Sequence, residues 1–175
     1  MSNIDKLING LIQIDGPNLH FIECDRLLLK EYIAELQENI PSSTYLAVVD
    51  GNEISNLNEL FTGFSSAFKF PDYFGNNWAA FDECINDLDW LNADSYILIL
   101  ENMDSILKDE QNFDILIRIL RDTAREWQNG RNYDSFPTPP TSFHVVFGVD
   151  LMKGLGLKKR IMTEGFEKED IRNRN

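Results

Sequence analysis

At 175 residues, 43% hydrophobic and 11% aromatic, the chain can bury a core as one folded domain with extensions, which excludes a disordered chain. A formal net charge of −13 repels phosphates and anionic lipid, which argues against nucleic-acid or membrane binding and in favour of a basic partner. Two cysteines without clustered spacing, Cys24 and Cys84, exclude a disulfide scaffold and a cysteine metal site and favour a reducing cytoplasm.

In chain order, Ile4, Leu7, Ile8, Leu11 and Ile12 recur at helical spacing and predict an amphipathic helix that ends at Asp15-Gly16-Pro17. The start carries no apolar run of signal-peptide type, and no stretch of the chain is long enough to span a bilayer, so the expectation is a soluble protein. Leu19 to Ile22 reads as a short strand, and Leu27 to Glu38 as a helix capped by Asp25. Tyr45 to Val49 is a strand closed by Asp50-Gly51. Leu57, Leu60, Phe61, Phe64 and Phe68 mark a further helix.

A Pro-Asp-Tyr-Phe-Gly loop over 71–75 leads into a helix with core face Trp78, Phe81, Cys84, Ile85 and Leu88. On that face Cys84 reads as a small core residue, although one Cys24–Cys84 pairing stays open. Tyr96 to Leu100 is an almost wholly apolar strand of the parallel, doubly covered kind. A weak helix near Met103 to Lys108 and a strong one from Phe113 to Trp127 follow. A Gly/Asn/Pro loop over 129–140 precedes a last strand, Phe143 to Phe147. Strands alternating with helices predict an α/β fold with a parallel sheet and crossover helices. From Leu151 the charge changes sign: seven Lys/Arg against four Asp/Glu give +3, leaving −16 on the first 150 residues.

Between Phe70 and Leu107 there is no lysine, arginine or histidine, yet eight carboxylates lie there: Asp72, Asp82, Glu83, Asp87, Asp89, Asp94, Glu101 and Asp104. With the buried face of the 78–88 helix fixed, the opposite face carries Ala79, Asp82, Glu83, Asn86 and Asp87 as one patch. An acidic helix face also keeps many proteins in solution, and charge alone does not separate that role from docking.

The stretch Phe70-Pro71-Asp72-Tyr73-Phe74-Gly75-Asn76-Asn77-Trp78-Ala79-Ala80-Phe81-Asp82-Glu83-Cys84-Ile85-Asn86-Asp87-Leu88 closely resembles the signature of the barstar family of ribonuclease inhibitors, and the order of elements over 45–150 fits as well. The resemblance implies three parallel core strands covered by helices. From its own residue pattern, the segment 1–44 would be an N-terminal extension contributing an amphipathic helix and one β-α unit, hence an extra N-terminal strand. Residues 45–150 would be the barstar-like domain and 151–175 a charged tail. Independently of the name, Gly75 is expected to permit a tight reversal, Asn76 or Asn77 to cap the helix, and Phe74 to pack in the core.

What the resemblance implies for function is a bacterial, cytoplasmic inhibitor or immunity protein. It would block a basic ribonuclease or other toxin protein by placing carboxylates where substrate phosphates would lie. The positions carried over are Tyr73, Asn77, Ala79, Asp82, Glu83, Asn86, Asp87 and, on the later helix, Asp122, with Glu83 as the central carboxylate. Three of them depart from the family pattern: Ala79 stands for a carboxylate, Asp82 for a bulky aromatic, and Glu83 is one methylene longer than the family's aspartate. A lengthened carboxylate cannot repeat the same bidentate geometry unadjusted, so a retargeted surface is expected.

No catalytic residue, metal or cofactor is expected. His20 and His144 each fall in an apolar strand pattern and read as core or strand-end histidines. Glu101 follows a parallel strand, but sequence shows no paired acids beside it. The alternatives left standing are a non-inhibitory interaction module and, less favoured, a carboxylate-dependent hydrolase.

Overall fold

The computed structural model describes residues 3–132, 137–150 and 154–163. Four strands, β1 (Leu19–Glu23), β2 (Thr44–Asp50), β3 (Ser95–Glu101) and β4 (Ser142–Val149), form one parallel sheet in the order β1-β4-β3-β2. Every residue of β3 and β4 is buried, which explains their nearly unbroken apolar sequences: a parallel strand covered on both faces has no solvent side to mark with polar residues.

Helices cover both faces. On one lie α1 (Asn3–Leu11) and α2 (Arg26–Asn39), whose Ile8, Leu11, Leu29, Ile33 and Leu36 pack with Ile97, Ile99 and Val146. Asp25 caps α2 as expected, its Oδ1 accepting from the Leu28 amide at 2.9 Å. On the other face lie α3 (Leu57–Phe68), α4 (Trp78–Asp87) and α5 (Glu110–Asn129), packed on Leu98, Leu100, Phe143, Val145 and Phe147. A core rich in phenylalanine results, with Phe61, Phe64, Phe68, Phe70, Phe74 and Phe81 meeting edge-on or offset. The expected α/β sheet with three core strands and a fourth N-terminal one is present. The fourth strand, β1, pairs with β4 in parallel.

One local expectation fails, and three details are added. No helix forms over 103–108: Asn102 and Leu107 adopt left-handed backbone, and the Met103 and Leu107 amides donate to the carbonyls of Gly148 and Ile54. Donors captured by distant carbonyls cannot close helical turns. The left-handed residue of the 71–77 turn is Asn76 (φ 48°), not Gly75; a Cβ at Gly75 would instead sit 2.9 Å from Asn77 Nδ2. Cys24 and Cys84 are buried free thiols, with no disulfide between them. The tail contributes a helix, α6 (Gly154–Thr163), whose Ile161 is buried in the core and whose Lys158 pairs with Glu23 at 3.6 Å. The side chains of Ile4 and Leu7, the loop 133–136 and the tail beyond 163 lie outside the described residues.

Candidate functional site

Helix α4 owes its start to Asn77, whose Oδ1 accepts from the Ala80 amide at 3.0 Å while its Nδ2 donates to the Gly75 carbonyl at 3.1 Å. Its inner side is fixed by Phe81, Cys84, Ile85 and Leu88, all buried. Trp78, at its first turn, lies between Phe61 and Phe81 and donates from Nε1 to Asn112 Oδ1 on α5 at 3.2 Å. That pairing aligns α4 with α5 and sets their outer surfaces side by side.

On that outer surface Ala79, Asp82 and Glu83 are exposed, together with Asp89 just beyond the helix. Tyr73, from the preceding turn, is 71% exposed, the most open large side chain of its kind among the described residues. Its hydroxyl is held above the ordinary tyrosine pKa by local desolvation and by the fields of Cys84, Asp87, Glu83 and Asp89. The Asp82 carboxyl is pushed up by desolvation and then by Glu126 and Asp122, both on α5, against a downward pull from Asn86. Structure therefore brings Asp82 and Asp122, forty residues apart in sequence, into one electrostatic cluster. It adds Glu126, which helical periodicity on α4 could not reveal.

The face is not uniformly open. Asn86 was expected on it but is buried, and Asp87 is half-buried. The cause is the chain leaving α5. Gly130 (φ 70°) turns it, Arg131 and Thr138 form an antiparallel bridge, and Arg131 Nη2 donates to the Asn86 main-chain oxygen. The same guanidinium lies 3.4 Å from Glu126 Oε1 and 5.5 Å from the centre of the Trp127 ring. Desolvation and Asp89 push the Asp87 carboxyl up, and Arg131 is among the groups that oppose them. Asn86 Nδ2 turns back to Asp82, donating to its carbonyl at 2.9 Å and to Oδ1 at 3.2 Å, while Asn86 Oδ1 has no hydrogen-bond partner.

Asp122 is exposed and paired with its neighbour Arg121 at 3.0 Å. Among the described residues no ion pair reaches Asp82 or Glu83, and the N-terminal helices α1 and α2 lie on the opposite face of the sheet. The acidic surface thus has an open half around Tyr73, Asp82 and Glu83 and a covered half around Asn86, Asp87 and Glu126.

A second acidic group lies at the carboxyl ends of the strands. Glu101 and Asp50 are partners in register, and Asn102 Nδ2 donates to Asp50 Oδ1 at 2.6 Å while accepting at Oδ1 from Arg26 Nε at 3.1 Å. Glu101 is buried, and desolvation followed by Asp50 pushes its carboxyl up. An acid does therefore stand beside Glu101, supplied by the neighbouring strand, a pairing that the linear sequence conceals. Among the described residues no set of three or more His, Cys, Asp and Glu side chains is arranged to hold a metal ion, and no helix is long and apolar enough to cross a membrane.

Residues 44–137, more than half of the chain, match the family described as Barstar (barnase inhibitor). No curated protein matches the sequence. Among solved structures, the chain is similar to the Aeropyrum pernix ORC1 protein in complex with DNA, with a TM-score of 0.56 and 15% identity over 98% of this chain. The chain spans 44% of that protein's length, and at this identity the likeness is one of fold: a helix-flanked parallel sheet.

Proposed function

This chain belongs to the barstar family, and on that premise we propose that it binds a basic ribonuclease or related toxin protein and blocks its active site by phosphate mimicry. The observation that carries the proposal is the open half of the α4–α5 surface. Asp82 and Glu83 project there without a cationic partner among the described residues, next to the exposed ring of Tyr73. Desolvation, and then the charges of Glu126 and Asp122, push the Asp82 carboxyl up, so its charged form costs the free protein some stability. A partner's Arg or Lys turns that repulsion into attraction and speeds encounter.

In this reading Glu83 is the central carboxylate, Asp82 and Asp122 add charge from two helices, Tyr73 supplies a rigid aromatic contact, and Ala79 leaves room beside them. Asn77 positions α4, and Asn86 and Asp87 contribute at the covered margin. The barstar-like domain, 45–150, carries the surface, and the described parts of the extension 1–44 and of the tail 151–175, residues 3–44 and 154–163, support its sheet from outside the contact. The protein acts as an inhibitor or immunity protein of a bacterial cytoplasm, without catalysis of its own.

DNA, the ligand named for the ORC1 structure, is a poor fit here: a net charge of −13 and an acidic α4–α5 face repel a phosphate backbone.

The test mixes the purified protein with basic ribonucleases and ribonuclease-type toxins, and measures binding by calorimetry and RNA cleavage in parallel. Wild type is expected to bind and inhibit, and Glu83→Lys to lose both together. Inhibition that survives Glu83→Lys and Asp82→Lys alike overturns the proposal.

A further inference from the structure

We infer that Arg131 is an internal counter-ion that occupies one half of the acidic α4–α5 surface, so that a partner's cations are confined to the half around Tyr73, Asp82 and Glu83. The inference rests on the docking role proposed above and adds to it a residue that decides where the partner sits.

Arg131 is built into its place. Gly130 has a positive φ, and a Cβ there would lie 2.7 Å from the Thr138 carbonyl, so the turn out of α5 favours glycine. Arg131 and Thr138 then exchange both backbone hydrogen bonds, at 2.8 and 2.9 Å, and the Thr141 amide returns to the Trp127 carbonyl at 2.8 Å. These bonds fix the backbone of the arm on either side of 133–136 and hold the guanidinium over the end of α4.

The guanidinium then satisfies several groups at once. It reaches the Glu126 carboxylate, the Asn86 carbonyl, the field of Asp87 and the face of Trp127, with only 18% of its side chain exposed. A cation held over an aromatic face is attracted by the ring, and the charge held there is what a partner's cation would meet. A partner's arginine approaching Glu126 or Asp87 meets a positive charge already in position, and like charges in a partly dry site repel. Towards Asp82 and Glu83 no such charge stands in the way among the described residues. The buried Asn86, with one side-chain oxygen unsatisfied, marks the boundary between the halves.

Hexa-arginine peptide serves as the probe, titrated into the full-length, isotope-labelled protein while backbone amide shifts are followed by NMR. Wild type and Lys30→Gln, a net-charge control on α2 across the sheet, are expected to shift around Tyr73, Asp82 and Glu83. Arg131→Gln is expected to extend the footprint to Asn86, Asp87 and Glu126 and to bind about three- to fivefold more tightly than Lys30→Gln. Arg131→Lys, which keeps the charge, should retain the wild-type footprint.

Identical footprints and affinities for Arg131→Gln and Lys30→Gln overturn the inference, as does an extended footprint in Arg131→Lys, since the arm's shape rather than its charge would then be responsible. If no ribonuclease is bound yet the footprint still grows in Arg131→Gln, the inhibitor reading fails while the assignment of Arg131 stands.

Discussion

His20 and His144 stack in the core with ring centroids 5.0 Å apart and His20 Nε2 2.8 Å from His144 Nδ1. The protons follow from the third partner. His144 Nε2 lies 2.8 Å from the Gln13 carbonyl, which can only accept, so His144 carries its proton on Nε2 and accepts at Nδ1 from His20 Nε2–H. Both rings are neutral, and together they tie the loop after α1 to β1 and to the middle of the sheet.

That relay predicts acid sensitivity. Burial, then the field of His144, lowers the His20 pKa to about 3, and burial also lowers His144, against upward pulls from the Gln13 and Pro17 carbonyls. Folded pKa values below the unfolded value mean that the unfolded chain binds more protons. Stability is therefore full above about pH 6.5 and falls as the pH drops, for His20 down to about 3 and by at most about 1.4 kcal/mol per pH unit, and His144 contributes with the same sign. Urea midpoints at pH 7.5 and 5.5 should differ in wild type and converge in His20→Phe/His144→Phe. Equal midpoints in wild type would remove the neutral-pair assignment.

Asp82 carries the opposite sign. Its folded pKa is raised, so its contribution is full below the ordinary aspartate pKa and is lost as the pH rises through the folded value. At neutral pH Asp82→Asn is accordingly expected to raise stability, by up to about 1 kcal/mol, while slowing association with a basic partner. Thermal melting and stopped-flow mixing read the two effects separately. A destabilised Asp82→Asn would contradict the crowding by Asp122 and Glu126.

Asn77 separates architecture from contact. Asn77→Ala removes the cap of α4 and is expected to cost about 1 kcal/mol, whereas Asn77→Asp keeps a capping oxygen and most of the stability. Chemical denaturation of the two variants makes the comparison. Equal losses would show that the cap hydrogen bond is not what the position supplies.

Gly51 sits where two loops touch. A Cβ there would lie 2.5 Å from the Asn102 main-chain oxygen and 3.0 Å from that of Glu101. Backbone atoms cannot move aside as a side-chain tip does, so Gly51→Ala is expected to destabilise by about 1–3 kcal/mol. Moreover, the displaced Asn102 should loosen its bonds to Asp50 and Arg26. A denaturation midpoint unchanged from wild type would rule out the close approach.

Much of this architecture is legible in the sequence, because the features that fix it are local. The strand from Tyr96 to Leu100 is apolar at every residue, Asn77 is followed by a core stripe at helical spacing, and Asp25 stands before α2. What periodicity cannot report is what covers an outward face. Asn86 sits on the polar side of its own helix yet is buried, and its main-chain oxygen accepts from Arg131, 45 residues later. Asp50 and Glu101 belong to different strands, and only the parallel register makes them neighbours. His20 and His144, each an ordinary strand residue when read alone, meet for the same reason. Met103 to Lys108 has helix-forming composition, but its amides are claimed by the carbonyls of Gly148 and Ile54.

Pairing of β1 with β4 has a further consequence for self-association. With Leu19 to Glu23 in register against Val145 to Val149, β4 has a neighbour on each side and offers no unpaired amides to a second chain. Remove the first strand, and a buried, largely apolar strand becomes an edge on which a second chain can add. The N-terminal unit thus moves the open edge of the sheet from eight-residue β4 to five-residue β1, a shorter template for a second chain.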